Sequence, residues 1–459
     1  MYLTSLLYLA AAAAATHIHR AFKAEDIITR DVAILGGGST GTFAAVQLNG
    51  QGHSVALVEK KSSLGGHAET LYLPNGSYIN YGVEGYFNNA KTKDFFAQLN
   101  VDYEILLPGT ILSHSVNFNT GKTVAPGADI LETVAAAVLY RAAIEQFDYL
   151  STGLYTLPDP VPEVLLRPFK EFVEKHALQG ALELIFTFAE NVGDLLEAPL
   201  IYVIQNFGIV HIDALLNGGY IRPKNGTGQL FSQATEYIGK ENIFFDTTVS
   251  QMKRNATGVE MVIQSTDGTS KLIQAKKLLV TFPPTTDSMS GFDLRTEESE
   301  LFSKWGHKNY YAAAVTNTNI PDFVNVVNTD PNNQPGSLPL PPFIWAFEYS
   351  GVPGYFMAKI VAEGNFTAEE ARDLIRSDLK RMSTAGTFST SAEPEIAAFA
   401  SHSPETLIVS VDDVRDGFYR KLYALQGEQS TYYTGYTFCT DYSTVLWNYT
   451  SSVLDMMDL

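Results

Sequence analysis

The sequence holds a single cysteine, Cys439, among 459 residues. One thiol makes neither an internal disulfide nor a multi-cysteine metal centre, so stability must come from packing. Basic residues are scarce too: 31 Lys and Arg stand against 50 Asp and Glu, a net charge of −19. That excess argues against nucleic acid and anionic membrane surfaces as partners. The apolar run from about Leu3 to Ala15 is too short to span a bilayer. It ends in small residues that suit cleavage near Ala15 or Thr16, so residues 1–16 read as a secretory signal. No basic residue follows Met1, however, and a buried amino-terminal helix is the competing reading. There is no internal repeat.

What is present suits a large globular protein. With 45% hydrophobic and 18% charged residues, the chain can bury a large core and divide into roughly two domains. Asn-X-Ser/Thr triplets occur at Asn75, Asn225, Asn255, Asn365 and Asn448, which an exported chain can have glycosylated. Asn225 and Asn448 fall in segments assigned below to the cofactor site, so Asn75, Asn255 and Asn365 are the better acceptors.

The most informative stretch begins at "RDVAILGGGSTGTFAAVQLNGQGHSVALVEK". A β-branched run ends in glycine, a helical spacing follows, and a second apolar run ends on a carboxylate, which together read as a βαβ unit. Gly36, Gly38 and Gly41 form G-x-G-x-x-G at the strand-to-helix turn. The first glycine permits the turn, the second lets backbone approach a pyrophosphate, and the third allows close helix–strand packing. Glu59 ends the second strand 18 residues beyond Gly41, where a carboxylate accepts hydrogen bonds from ribose hydroxyls. The pattern predicts a dinucleotide.

A second cluster, Gly65 and Gly66 followed by His67, has no special use in a plain NAD domain. Here the sequence resembles the flavin-containing amine oxidase and phytoene desaturase superfamily, in which a GG-Arg loop lies along the FAD pyrophosphate. Five further stretches match that superfamily in order: "YINYGVEGYFN", "YIRPKNGTGQLFSQAT", "ENIFFDTTVSQMKR", "KLLVTFPP" and "YYTGYTFCTDYSTVLWNY". Within it the chain looks most like the β-cyclopiazonate dehydrogenase family, and more distantly like the bacterial polyunsaturated fatty acid isomerase. The resemblance implies FAD as cofactor, with Val249 at the adenine and with Gly435, Tyr436 and Val445 in the closing flavin motif.

The fold class expected is α/β: a discontinuous Rossmann-like FAD-binding domain with an α+β substrate domain containing a mixed sheet and a helical insert. The boundaries expected are 31–105, 222–290 and 405–459 for the FAD domain. The substrate domain then takes 106–221, including the insert, and 291–404. The stretch "PFKEFVEKHALQGALELIFTFAENVG" reads as one long helical segment.

Departures from the family pattern bear on chemistry. His67 replaces the usual Arg, which makes a pyrophosphate contact weaker or pH-dependent; the resemblance also makes covalent flavin attachment at His67 worth testing. Tyr436 stands where many relatives have Asp or Glu. The amine-oxidase lysine is expected on "NYYAAAV", which offers only Tyr310 and Tyr311. Candidate proton-transfer groups are Glu84, His211 and His307, Glu84 first. Tyr81, Tyr86, Phe87, Phe207, Trp345 and Phe347 are candidates for an aromatic cavity or, equally, for core packing.

The reading expected from these features is an FAD-dependent dehydrogenase or desaturase acting on a hydrophobic small molecule of secondary metabolism. Alternatives are a flavin-dependent isomerase of an unsaturated fatty acid, with Arg222 or Arg167 as the only evident carboxylate anchors, and a flavin-dependent cyclase. An NAD-dependent dehydrogenase is disfavoured by the second glycine cluster.

Overall fold

The computed structural model describes residues 22–106, 112–127, 130–388 and 392–459; the expected signal segment lies outside them. Two large sheets organise the chain. The first has its strands in the order Ile243–Phe244, Val55–Val58, Ile27–Leu35, Ser270–Val280, Gly258–Ser265 and Thr247–Asn255. Pairing is parallel between Ile27–Leu35 and both neighbours and antiparallel along the last three strands. Thr431–Tyr433 runs parallel to the end of Ser270–Val280. Val32 to Leu35 and Val55 to Leu57 are almost wholly buried, as expected of parallel strands covered on both faces.

Three stretches of chain therefore build this sheet, and the carboxyl-terminal helix Ser443–Asp455 packs on the helix Ser39–Gly50 that follows the first strand. Trp447 stacks on Phe43 at 5.6 Å between ring centroids, and its Nε1 donates to Ser39 Oγ at 3.1 Å. A buried ion cluster ties the strands together. Arg254 donates to Asp293 and, through two nitrogens, to Glu298 at 2.8–2.9 Å. Tyr433 on the late strand donates to the same Glu298 at 2.6 Å.

The second sheet has eight strands. Its centre is Gly306–Thr316, Tyr355–Ala362 and Phe343–Tyr349, paired antiparallel. Alternation splits each strand between two cores. Ala313, Val315, Ile344, Phe347, Phe356, Ala358 and Ile360 pack on Ile375, Leu379 and Met382 of the helix Ala368–Thr384. Tyr310, Phe343, Trp345 and Val361 face the other way and join the core shared with the first sheet. Tyr310 is paired with Val361, and Ala312 with Lys359, so Lys359 stands on this second face.

Several expectations need correction. The stretch after Pro168 is two short helices, Phe169–His176 and Leu182–Ala189, because Ala177 takes a left-handed φ of 55°. Glu405–Ile408, expected in the FAD domain, pairs with the Gly306 end of the second sheet. Leu200–Asn217 is long and apolar enough by composition to cross a membrane, but it is 61% buried and divides at Phe207–Gly208 into two helices.

Arg254→Ala should leave Glu298 as an uncompensated buried charge and cost about 3–5 kcal/mol. The shift of the urea unfolding midpoint measures it.

Candidate active site

The two glycine clusters touch. Gly65 donates its N–H to Gly37 O at 2.9 Å, and a Cβ on Gly66 would lie 2.8 Å from Gly38 Cα. A Cβ on Gly41 would fall 1.9 Å from Gly36 O, so the third glycine sets how closely the helix approaches the turn. Gly36 takes a φ of 100°, and Thr281 Oγ1, from the end of the Ser270–Val280 strand, lies 2.9 Å from the Leu35 and Gly36 carbonyl oxygens. Gly435 completes the group with a φ of 109°; a Cβ there would sit 2.7 Å from Thr281 O.

Glu59 secures this cradle. Its Oε2 accepts from Gly37 N at 2.5 Å and its Oε1 from Lys61 N at 2.7 Å. Each oxygen keeps a lone pair for a further donor such as a ribose hydroxyl. Thr247 N donates to Glu59 O at 3.0 Å, which brings the strand carrying Val249 alongside; the register breaks in a bulge between Val249 and Gln251. Bare backbone, a helix amino terminus and a carboxylate at the second strand together fit a dinucleotide.

Beyond the glycines lies a set of polar side chains enclosed by protein. Glu84, His67 and Lys359 are deep in the molecule, yet their side chains keep 38%, 30% and 29% of their accessible surface. Accessible surface on side chains so crowded by protein marks a recess, not open surface. Asp441 is exposed too and adjoins the glycine loop through His67: the ligand atoms of His67, Glu405 and Asp441 all lie within 4.8 Å of one another. The recess thus adjoins the cradle, an arrangement that suits a flavin dinucleotide.

Burial governs the charges here. It lowers the His67 imidazole to about 4, helped by Lys61 and Lys60, so His67 is neutral at physiological pH and supplies none of the charge of the Arg it replaces. The cation at the loop is Lys61, whose Nζ donates to Gly66 O at 2.9 Å and Glu69 Oε1 at 2.6 Å. Burial and mutual repulsion push Glu405 well up, and burial brings Asp441 to about 6; adjacent carboxyls of this kind hold a proton between them.

A stack of rings runs from the loop into the second sheet. His67 lies on His402 at 4.3 Å with 13° between planes, and His402 lies beside Tyr310 at 5.9 Å and 6°. Tyr310 Oη donates to Glu190 Oε1 at 2.8 Å. Lys359 pairs with Glu348 at 3.4 Å and is held charged chiefly by it. Glu84 faces Arg222 at 3.6 Å, and burial raises its carboxyl.

Of the sequence candidates, Glu84 lines the cavity. His211 is buried in the helix Ile209–Asn217, where its Nδ1 accepts from Gly208 N at 3.1 Å; burial lowers it to about 3. It borders a small pocket of about 20 Å³ with Phe147, Thr440 and Val445, so Val445 faces that pocket. His307 is exposed near the start of Gly306–Thr316, and that exposure takes it out of the interior set. Tyr436 packs 5.9 Å from His67. Among the aromatics, Phe347 faces the Ala368–Thr384 helix, while Tyr86 and Phe87 pack against Trp447 and Tyr220; both are core contacts. Glu190, Lys359, His402, Glu405 and Asp441 escaped the sequence reading. The visible signal for Lys359 was one charge inside the apolar strand "YFMAKIVA".

This fold and cradle define a flavin-dependent oxidoreductase with FAD as cofactor. Residues 40–382 match the family of flavin containing amine oxidoreductases, and the chain belongs to that family. It is 43% identical to β-cyclopiazonate dehydrogenase of Aspergillus oryzae over 95% of this chain and 94% of that one. It is 32% identical to the FAD-dependent oxidoreductase oblC of Cochliobolus heterostrophus, over 94% and 91%. Among solved structures, a CLA-producing fatty acid isomerase from P. acnes superposes with a TM-score of 0.73 at 18% identity, covering 94% of this chain and 99% of that one.

Gly41→Ala should drive the helix from the turn and lower cofactor affinity about tenfold or more, at least 1.4 kcal/mol. The ratio of visible flavin absorbance to protein absorbance reports this. Gly306→Ala, where a Cβ meets only Ile408 O at 3.7 Å, should keep its flavin.

Proposed function

We propose that the protein dehydrogenates a hydrophobic small molecule of secondary metabolism. The observation that supports this is the recess beside the glycine cradle, bordered by the stacked rings of His67, His402 and Tyr310 and by cations that already have partners. When bound, FAD supplies the two-electron acceptor. The chain's own share is to hold the substrate, exclude water and take a proton from it.

The charge pairing favours this reading over fatty acid isomerisation. Arg222, one expected carboxylate anchor, is held by Glu104 at 2.8 Å and Glu84 at 3.6 Å. Arg167 is exposed and bound to Glu171. Lys359, inside the cavity, is paired with Glu348. A free carboxylate entering here would have to displace an existing partner of its own sign.

The purified protein should be yellow. Mixed anaerobically with its substrate, it should lose visible flavin absorbance and yield a product two hydrogens lighter; a product of unchanged mass would mean isomerisation, and reduction by dithionite alone would mean no dehydrogenase activity. After acid precipitation, colour in the pellet would mark a covalent flavin and colour in the supernatant a free one.

The same proposal places the protein in the secretory pathway, on the strength of the apolar segment Leu3–Ala15 and the exposed acceptors Asn75, Asn255 and Asn365. Asn225 and Asn448 are exposed as well, so the cofactor site does not remove them from the set. Glycosidase treatment of protein from its native host should lower its mass; an unchanged mass would count against export.

A further inference from the structure

Glu190 is a buried carboxylate facing the second sheet, at 4% exposure. It begins the short turn Glu190–Val192 after the helix Leu182–Ala189. One oxygen, Oε1, accepts from Tyr310 Oη at 2.8 Å. The other, Oε2, is buried with no hydrogen-bond partner. A lone buried acceptor costs stability. Tyr310 stands in front of it, on the sheet face shared with Lys359 and stacked on His402, which in turn stacks on His67 of the glycine loop.

We propose that Tyr310 and Glu190 form the proton-accepting dyad of the oxidation. This rests on the dehydrogenase reading. Tyr310 touches the substrate, and Glu190 acts through it. As the substrate C–H bond breaks and its hydrogen leaves with both electrons to the two-electron acceptor, the neighbouring X–H bond (X being C, N or O) gives its proton to Tyr310 Oη. The Tyr310 proton passes along the existing hydrogen bond to Glu190 Oε1. The X–H electron pair becomes the second bond between carbon and X, and the product is two hydrogens poorer.

The groups around Glu190 suit the task. Burial brings its carboxyl to about 7, against the pull of Lys359 and the Tyr310 hydrogen bond and with the push of Glu348. Tyr442 lies within its field, and Glu405 acts on the same Tyr310. Tyr310 itself is held well above its ordinary value, by burial first and by Glu190 second, so it is a phenol with a proton to pass on. An acceptor near pH 7 is matched to proton transfer at that pH.

The test uses FAD-loaded protein with equal flavin content in every variant. In a pH-difference infrared spectrum without substrate, wild type should show a carboxylic acid band titrating near pH 7. Glu190→Gln should remove the Glu190 share of that band and leave those of Asp378 and Asp441. Tyr310→Phe should move it to higher pH, because the hydrogen bond that favours the anion is gone. Each variant should lower kcat by about 10²–10⁴-fold with KM little changed. The double variant should be no worse than either single one, since the two residues act as one unit, and Glu190→Asp should recover part of kcat. A Glu190→Gln enzyme with kcat within threefold of wild type, or additive losses in the double variant, overturns the dyad. If Glu190→Gln does not fold, the infrared shift and kcat of Tyr310→Phe decide. A wild-type band near pH 7 with a flavin that no small molecule reduces would sink the dehydrogenase reading and the dyad with it. A missing band, with normal substrate reduction, would sink the dyad alone.

Discussion

Everything in this protein hangs on the approach of two backbones that carry no side chains where they meet. Gly38 and Gly66 stand so close that a single methyl on Gly66 would collide with the facing Cα. Glu59 holds one side of the contact through Gly37, and Lys61 holds the other through Gly66 O. Because both clamps are buried or partly buried and charge-assisted, the loop that carries His67 has little freedom. The position of His67 then fixes His402, and through it Tyr310.

The cavity built on this contact treats charge economically. Lys359 has Glu348, Arg222 has Glu104, and Glu405 and Asp441 share a proton, which leaves that pair a single negative charge. His67 and His402 are kept neutral mainly by burial. The recess is therefore polar in its atoms, and its cations Lys359 and Arg222 already have partners, a setting that accepts an uncharged ring system more readily than a carboxylate.

Much of the cradle could be read from the sequence because its requirements are local. Gly36, Gly38, Gly41 and Glu59 follow from the geometry of one βαβ turn, and Gly65 and Gly66 from the loop that follows it. The substrate side could not be read that way. Glu190 acquires a role only when Tyr310, 120 positions away, is brought to it by the pairing of a second sheet. Lys359 reaches the cavity by the register that sets it opposite Ala312, and a one-residue slip would turn it toward the Ala368–Thr384 helix. Residue type alone points to His307, and the strand that carries it leaves it exposed. The helical stretch after Pro168 was misread because nothing in the side chain of Ala177 announces a left-handed turn.

The stacking of Trp447 on Phe43 and the bond from its indole to Ser39 join residues 408 positions apart. Gly435 reaches the turn of Gly36 across a similar span through Thr281. The nucleotide-binding turn thus leaves the ribosome early, but the helix that walls it follows only after the 408 positions between Ser39 and Trp447. Cofactor retention in this sense waits for that helix, and a nascent or truncated product that ends before Ser443 would present the glycine turn without the means to retain what it binds.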